Sequence, residues 1–569
     1  MNTNFETNFN TNFNTNFNTN FNTNLNTNFN TNSKTNAKIQ VLASNIIKSI
    51  ERAFQYISYS HSEDFINAMI DAYIKEENAA AKNAILQILE NSKLSAQNHR
   101  PLCQDTGIAT IFCKLSNNVE IVNDIANNDS IQTLTDMINE GVKIAYSNKE
   151  NPLRFSVLKS PASERINTKN NTPAIIHYDF VNDINGIEFI CAAKGGGSEA
   201  KAKFAMLNPS DSVEKWVLEQ IPKMGAGWCP PGVLGIGIGG TPEKAMLLAK
   251  EALMQPVSNQ QEFDLLRQKI SSSNANFLEK LRINLLDKIN ALGIGAQGLG
   301  GLTTVLDVKI KEFPTHAANL PIAIIPNCAA TRHCHFTLNN DNKVFEVPEA
   351  NINAFDKLNS YSSQNSQQNS NDENCLKLNV DDSNLTREKL KQLNLKIGQK
   401  ILLSGTIYTA RDAAHKRLCD LLENNKPLPI NLDNKFLYYV GPVDPVNDEI
   451  VGSAGPTTAT RMDKFMQTLL SKTQLLGSIG KAERSAQTAD IIKQYDNVYL
   501  IAVGGAAYLI SKSIKSAKVV AFEDLGMEAI YEFVVENFPV IVAVDSEGNN
   551  IHQQAPKQWQ KIIFEKNNK

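Results

Sequence analysis

This sequence predicts a mixed α/β (α+β) chain of two domains. Three observations carry that prediction. Helical periodicity fills the start of the folded region, strands, helices and glycine loops then alternate, and a polar low-complexity break is followed by a second alternating unit. Residues 1–36 come first and repeat NTNF, with Phe5, Phe9, Phe13, Phe17, Phe21 and Phe29 in one register. Asn and Thr compete for their own backbone and form helix poorly, so this segment is read as a disordered tail outside the fold. From Ala37 to about Ser92, IQVLASNIIKSIERAF and FINAMIDAYIKEENAAAKNAILQILENS place apolar residues at i, i+3, i+4 and i+7, which predicts helices. After CQDTG, strands and helices alternate to about Asn339. The boundary between domains is set at 346–375, around the coreless stretch 357–374, KLNSYSSQNSQQNSNDEN. The domains are therefore 37–345 and 376–569. The second holds the strands KILLSGTIYTA, NVYLIAVGG, AKVVAFEDL and FPVIVAVDS and the helix RDAAHKRLCDLLENN.

Composition narrows the function. The 569 residues carry a net charge of −3, which offers no footprint for nucleic acid or an anionic membrane surface. The longest apolar run, VYLIAVGGAAYLI, is shorter than the roughly 20 residues of a membrane helix. No basic-then-apolar leader is seen, and eight cysteines lack paired short spacings. A cytoplasmic, reducing location is expected.

Two glycine runs fit G-x-G-x-x-G, at Gly235, Gly237, Gly240 and at Gly293, Gly295, Gly298. A dinucleotide site needs a preceding strand, a following helix and a suitably spaced acid, and neither run meets all three, so nicotinamide binding is disfavoured. The run Gly195–Gly197 in KGGGSEAKAKF either presents N–H groups to an anion or makes a tight strand-to-helix turn.

The cysteines sort by context. Cys113, Cys191 and Cys419 lie in apolar or helical runs and read as core, Cys375 lies at the linker edge, and Cys334 in HCHF reads as structural because a strand alternates faces. Cys103 in RPLCQDTG, Cys229 in GAGWCPPG and Cys328 in IPNCAATRHCHF each stand among proline, glycine or other loop formers. Three thiolates from distant loops can hold three irons of a [4Fe–4S] cluster. The fourth iron is then open to a substrate oxygen, which suits a Lewis-acid catalyst better than an electron carrier.

The motifs PLCQDTG, AKGGGS, CPPG…GIGGT, GLGG…DVKI, GTIYTARDAAHKR, AGPTTATRMDKF and GMEAIYEFVVENFP together resemble the class I, iron–sulfur fumarate hydratases and the related L-tartrate dehydratases. The match runs in family order from about Ile39 to the C-terminus. In some relatives the halves are separate α and β subunits. The resemblance implies a β/β/α swivelling-type second domain, a [4Fe–4S] cluster on Cys103, Cys229 and Cys328 at the interface of the two domains, and a homodimer. It implies a dicarboxylate pocket of Gln104, Arg154, Gly195, His316, Arg411, Arg461 and Lys481, with Thr457 moving the C3 proton and Asp105 supporting it. Without the joint pattern, Arg411 beside Asp412 and Arg461 beside Asp463 would be surface pairs, and Thr457 and Thr458 helix caps. The loop after Lys481 reads AERS where many single-chain members have GNRS. The expected activity is reversible hydration of fumarate to (S)-malate, with L-tartrate dehydration to oxaloacetate as the alternative.

Overall fold

The computed structural model describes residues 38–125, 130–364 and 375–568. The NTNF repeat lies outside the described residues. Ile39 onward forms one compact mixed α/β unit.

The segment expected to be helical throughout begins instead with a strand, Ile39–Leu42, paired in parallel with Val119–Val122. Its β-branched Ile39 and Val41 point into the core while Gln40 faces out, a period of two that the helical period of the next residues hides. Helices Ala43–Tyr59, Glu63–Lys75 and Ala79–Asn98 follow. The last is capped by the Asn78 side chain and stopped by His99 at φ 51°, which turns the chain towards Cys103.

Two four-stranded sheets frame the first half. One runs in the order His333–Leu338, Ile187–Lys194, Ile108–Ser116, Ile175–Val181, and helices Ala43–Tyr59 and Leu134–Tyr146 bury Ile50, Ile138 and Val142 together with its Ile111 and Phe189. The other runs Val305–Phe313, Gly232–Gly239, Leu320–Pro326, Lys203–Leu207. Here the first glycine run finds its use. A Cβ at Gly235 or Gly237 would overlap the carbonyls of Ala249 or Ala245, so the glycines let helix Pro242–Ala252 lie directly on the strand.

The expected linker is ordered at its start. Ile352–Phe355 and Asp356–Gln364 are helical, and Phe355 and Leu358 are buried against the core, because an apolar residue at every third position suffices to dock a short helix. Beyond it, the second half builds a seven-stranded mixed sheet. Strand Lys400–Thr409 pairs with both Leu376–Asn379 and Phe436–Tyr438 in parallel and with Ile530–Val544 in antiparallel register, so the sheet closes on itself. Loops at the ends of its parallel strands Phe436–Tyr438, Gly477–Gly480 and Val498–Ile501 reach side chains of the first half.

Candidate active site

Three loops of the first half carry Cys103, Cys229 and Cys328. Cys103 follows Pro101 and Leu102, and its thiol lies 3.3 Å from Gln104 Oε1. Cys229 takes φ 58°, a left-handed conformation costly for a residue with a side chain. Its carbonyl accepts from the Ala329 N–H at 3.1 Å, which joins the second thiol segment to the third. Cys328 follows strand Leu320–Pro326, and the buried Lys194 ammonium donates to Pro326 O and Asn327 Oδ1 beside it.

Lys481, at the end of strand Gly477–Gly480 in the second half, places Nζ 3.0 Å from Cys229 Sγ. Burial acts to lower its pKa. Cys229, then Cys103 and Cys328, pull the other way and hold its pKa above the ordinary lysine range. Burial pushes the Cys103 thiol up to about 11, against Arg332 and Lys481, and raises Cys229 against Lys481. One ammonium thus feels all three thiols. Cys113 and Cys334, buried with no cation recorded against them, are pushed to about 12, and burial alone accounts for it. Among the described residues no cysteine is in a disulfide.

Among the described residues, no three of His, Cys, Asp and Glu converge closely enough to share a single metal ion. A cubane asks for something different, since each thiolate takes its own iron and the sulfurs stand apart. Cys103, Cys229 and Cys328 are of the residue type that ligates such a group, and Lys481 lies where it would offset the charge of their thiolates. Gly504 closes over Cys229 so tightly that a Cβ would overlap Sγ, and a Cβ at Gly197 would come within 3.5 Å of Lys481 Nζ.

The polar residues next to the thiols come from both halves. Gln104 is buried, and its Nε2 donates to Pro456 O at 3.2 Å, just before Thr457. Thr457 donates its N–H (2.7 Å) and its hydroxyl (3.1 Å) to Tyr439 O and accepts from the Lys481 N–H, which seats Thr457 and Lys481 side by side. Asp105 accepts from the Gly196 N–H at 2.8 Å and from the Gly107 N–H at 3.2 Å. The anion presented to the KGGGS turn is therefore this chain's own carboxylate. Burial opposes ionisation of Asp105, yet Arg154, Arg332, the Gly196 N–H and Lys481 together hold its carboxyl below the usual carboxylate range. A Cβ on Gly195 would stand 3.2 Å from Asp105 Oδ2, so a side chain there would crowd it.

Three guanidinium groups gather above this floor. Arg411 is 7 % exposed and its pKa is lowered to about 10, first by burial and then by Arg154 and Arg461, with Glu528 at 3.5 Å opposing. Its Nε has no partner among the described residues. Arg461 pairs with Asp412 at 3.1 Å and Asp463 with Arg484 at 2.8 Å, so neither arginine pairs with the acid that neighbours it in sequence. Arg154 lines a cavity of about 220 Å³ with Tyr146, Pro442, Asp444 and Met527, open between the halves. Arg411 is buried, Arg154 half-buried and Arg461 exposed, and guanidinium groups so grouped suit a ligand with two carboxylates.

His316 lies elsewhere. It is exposed on the loop beyond strand Val305–Phe313, where its Nδ1 accepts from the Ala318 N–H and it lines a separate cavity with Lys244, Leu247 and Phe313. The long strand carries this loop outward, and Thr315 ties it to Gly240 O. Arg332, Lys194, Asn91, Gln297 and Glu528 were not anticipated. Arg332 is buried and donates to Asp105 O at 2.6 Å. Its place in ATRHCHF, four residues after Cys328, is the one hint available in the sequence.

A sequence profile described as "Fumarate hydratase (Fumerase)" matches residues 47–337, and one described as "Fumarase C-terminus" matches 352–555. The chain is 32% identical over 482 residues to "Fumarate hydratase class I, anaerobic" of Escherichia coli (strain K12), covering 83% of each. The chain belongs to the class I fumarate hydratase family. It is accordingly a hydro-lyase of mixed α/β fold. Another family member, "Fumarate hydratase 1, mitochondrial" of Leishmania major, is 32% identical over 485 residues, again 83% of each chain. Over 276 residues, 48% of this chain and 89% of the relative, the chain is 41% identical to "Putative L(+)-tartrate dehydratase subunit alpha" of Methanocaldococcus jannaschii. All three thiols fall in the first matched region, and Arg411, Thr457, Arg461 and Lys481 in the second.

Proposed function

We propose that this hydro-lyase reversibly hydrates fumarate to (S)-malate. The observation that carries the reading is the gathering of Arg154, Arg411 and Arg461 beside Asp105, Thr457 and Lys481, from both halves of a family member. The arginines and Lys481 bind the two carboxylates and fix the C2–C3 axis between them. Gln104 and Gly195 bound the floor, where a larger side chain at position 195 would displace Asp105. In the dehydration direction Thr457 Oγ1 receives the C3 proton as its own hydroxyl proton passes to the leaving C2 hydroxyl, which departs as water. The ionised Asp105 supports the transfer by offsetting the charge that develops, and the reverse steps add water. His316 takes no part in the site we propose within one chain.

We propose that Cys103, Cys229 and Cys328 hold a [4Fe–4S] cluster. When bound, it would supply Lewis acidity through one iron that no protein side chain ligates. Free thiols suit a reducing compartment, and among the described residues no helix is long and apolar enough to cross a membrane. A homodimer is part of the same reading, supported by the exposed Phe204 and Met206 on the edge strand Lys203–Leu207.

A second reading, L-tartrate dehydration to oxaloacetate, is favoured by the 41% identity over 276 residues to a putative tartrate dehydratase subunit. The test is one assay. Protein reconstituted anaerobically with iron and sulfide is followed by ultraviolet absorbance with fumarate, (S)-malate and L-tartrate, without nucleotide. Interconversion of fumarate and malate is expected. Turnover of tartrate alone would replace the first reading with the second.

A further inference from the structure

The segment Val503–Ala507 of the second half, sequence VGGAA, touches the neighbourhood of every thiol in the site. Gly504 packs on Cys229, where a Cβ would overlap Sγ and lie 3.2 Å from Lys481 Cδ. Gly505, at φ 91°, faces Ala329 beside Cys328, with an added Cβ only 3.3 Å from the alanine Cβ. Two amide side chains of the first half grip the same segment. Asn91 Nδ2 donates to Gly505 O and to Leu102 O, each at 3.0 Å, and Oδ1 accepts from the Tyr508 and Leu509 N–H groups at 2.8 and 2.9 Å. Gln297 Nε2 donates to Pro230 O at 2.9 Å and to Gly504 O at 3.2 Å, while Oε1 accepts from the Gly504 N–H at 2.9 Å.

Each amide therefore holds the loop with one set of bonds and the residue next to a cysteine with another: Leu102 before Cys103, Pro230 after Cys229. Local structure does not call for either residue. Asn91 sits inside helix Ala79–Asn98, where asparagine is a poor former, and Gln297 holds φ 55°, a conformation costly for its side chain. A buried amide is costly unless its bonds are filled, and these are filled across the two halves. The second glycine run is thereby accounted for. Gly293 and Gly298 allow helix Ile551–Asn567 to pack directly on the turn that carries Gln297, where His552 meets Gln297 O at 3.2 Å.

We propose that Asn91 and Gln297 are positioning residues that use Val503–Ala507 as a template to set the relative placement of Cys103, Cys229 and Cys328. The inference rests on the proposal that these three cysteines form one site. Its test does not need the reaction. Metal-free protein is pulsed with iodoacetamide under native conditions, and labelling is measured at each cysteine by mass spectrometry. Gln297→Met is expected to speed labelling of Cys229, and Asn91→Leu that of Cys103, by about tenfold, the scale of a lost buried hydrogen bond, with Cys191 and Cys419 unchanged in both. Gly504→Ala, whose Cβ would crowd both Cys229 Sγ and the Gln297 Oε1 that holds the loop, is expected to speed Cys229 alone, and it decides the matter if Gln297→Met does not fold. A uniform rise at all cysteines, or no rise at Cys229 and Cys103, would overturn the inference. In reconstituted enzyme that hydrates fumarate, the amide variants are expected to lose kcat with KM held, because no arginine is disturbed. Specific labelling without fumarate turnover in the parent protein would uphold the positioning and sink only the substrate assignment.

Discussion

Arg411 and Asp412 are adjacent in the chain, yet they face different partners. Arg411 turns into the site towards Glu528, and Asp412 turns out to Arg461. Adjacent residues at a strand-to-helix turn point in different directions, so sequence proximity is a weak guide to ion pairing. The thiols were easier to sort, because proline and glycine on either side mark a side chain held on a loop. Burial separates them less well, since Cys103, Cys229 and Cys419 are all buried. What sets the site apart is Lys481, which faces all three of its thiols, with Arg332 beside Cys103. Cys328→Ser is expected to abolish activity and the brown colour of reconstituted protein, while Cys419→Ser spares both. Iron content and absorbance near the visible cluster bands check this, and like behaviour of the two variants would refute the assignment. Ala482, in the AERS departure, holds φ 67°, so the backbone there keeps the left-handed turn that glycine adopts more readily.

Helix Asp412–Glu423 shows how an element carries a site residue. Arg411 is its N-cap position, and its carbonyl accepts from the His415 N–H (2.8 Å) and pairs with His415 Nδ1 (2.9 Å). His415 is fully buried, stacked on Phe465 and edge-on to Tyr439. Burial lowers its pKa to about 4, with the Arg411 carbonyl opposing. The unfolded chain binds a proton at this imidazole more readily than the native one, so its share of stability is full above about pH 6.5 and is lost as pH falls towards about 4. In urea unfolding of metal-free protein between pH 7 and 4.5, His415→Asn, which keeps a donor to Arg411 O, is expected to remove on the order of 3 kcal/mol of the acid-induced loss. An unchanged pH slope would contradict it. The long helices and most strands could be read from their periods. Strand Ile39–Leu42 could not, since four residues before a helix carry too short an alternation to stand out.

At the scale of the molecule, the halves are locked around the first thiol loop. Arg100, three residues before Cys103, is 3 % exposed and makes a two-pronged pair with Glu449 of the second half, with further bonds to Asn151 Oδ1 and Asp444 O. Removing one member strands a buried charge, so Glu449→Gln is expected to cost about 2 kcal/mol in the denaturant-unfolding free energy of metal-free protein. A change within error would mean that this ion pair contributes nothing to holding the halves together. The sequence by itself determined the mixed α/β class, the main helices and strands, the three loop cysteines and the family, because each is written in short patterns of turn formers, periodicity and motif. Only the tertiary structure decided which charges pair, that Asp105 fills the glycine turn, that His316 stands apart, and that Asn91 and Gln297 bind the second half to the thiol loops. Those contacts join residues well separated in the chain, Asp105 and Gly196 or Asn91 and Gly505 among them, and their energies depend on burial and direction, which no local pattern records.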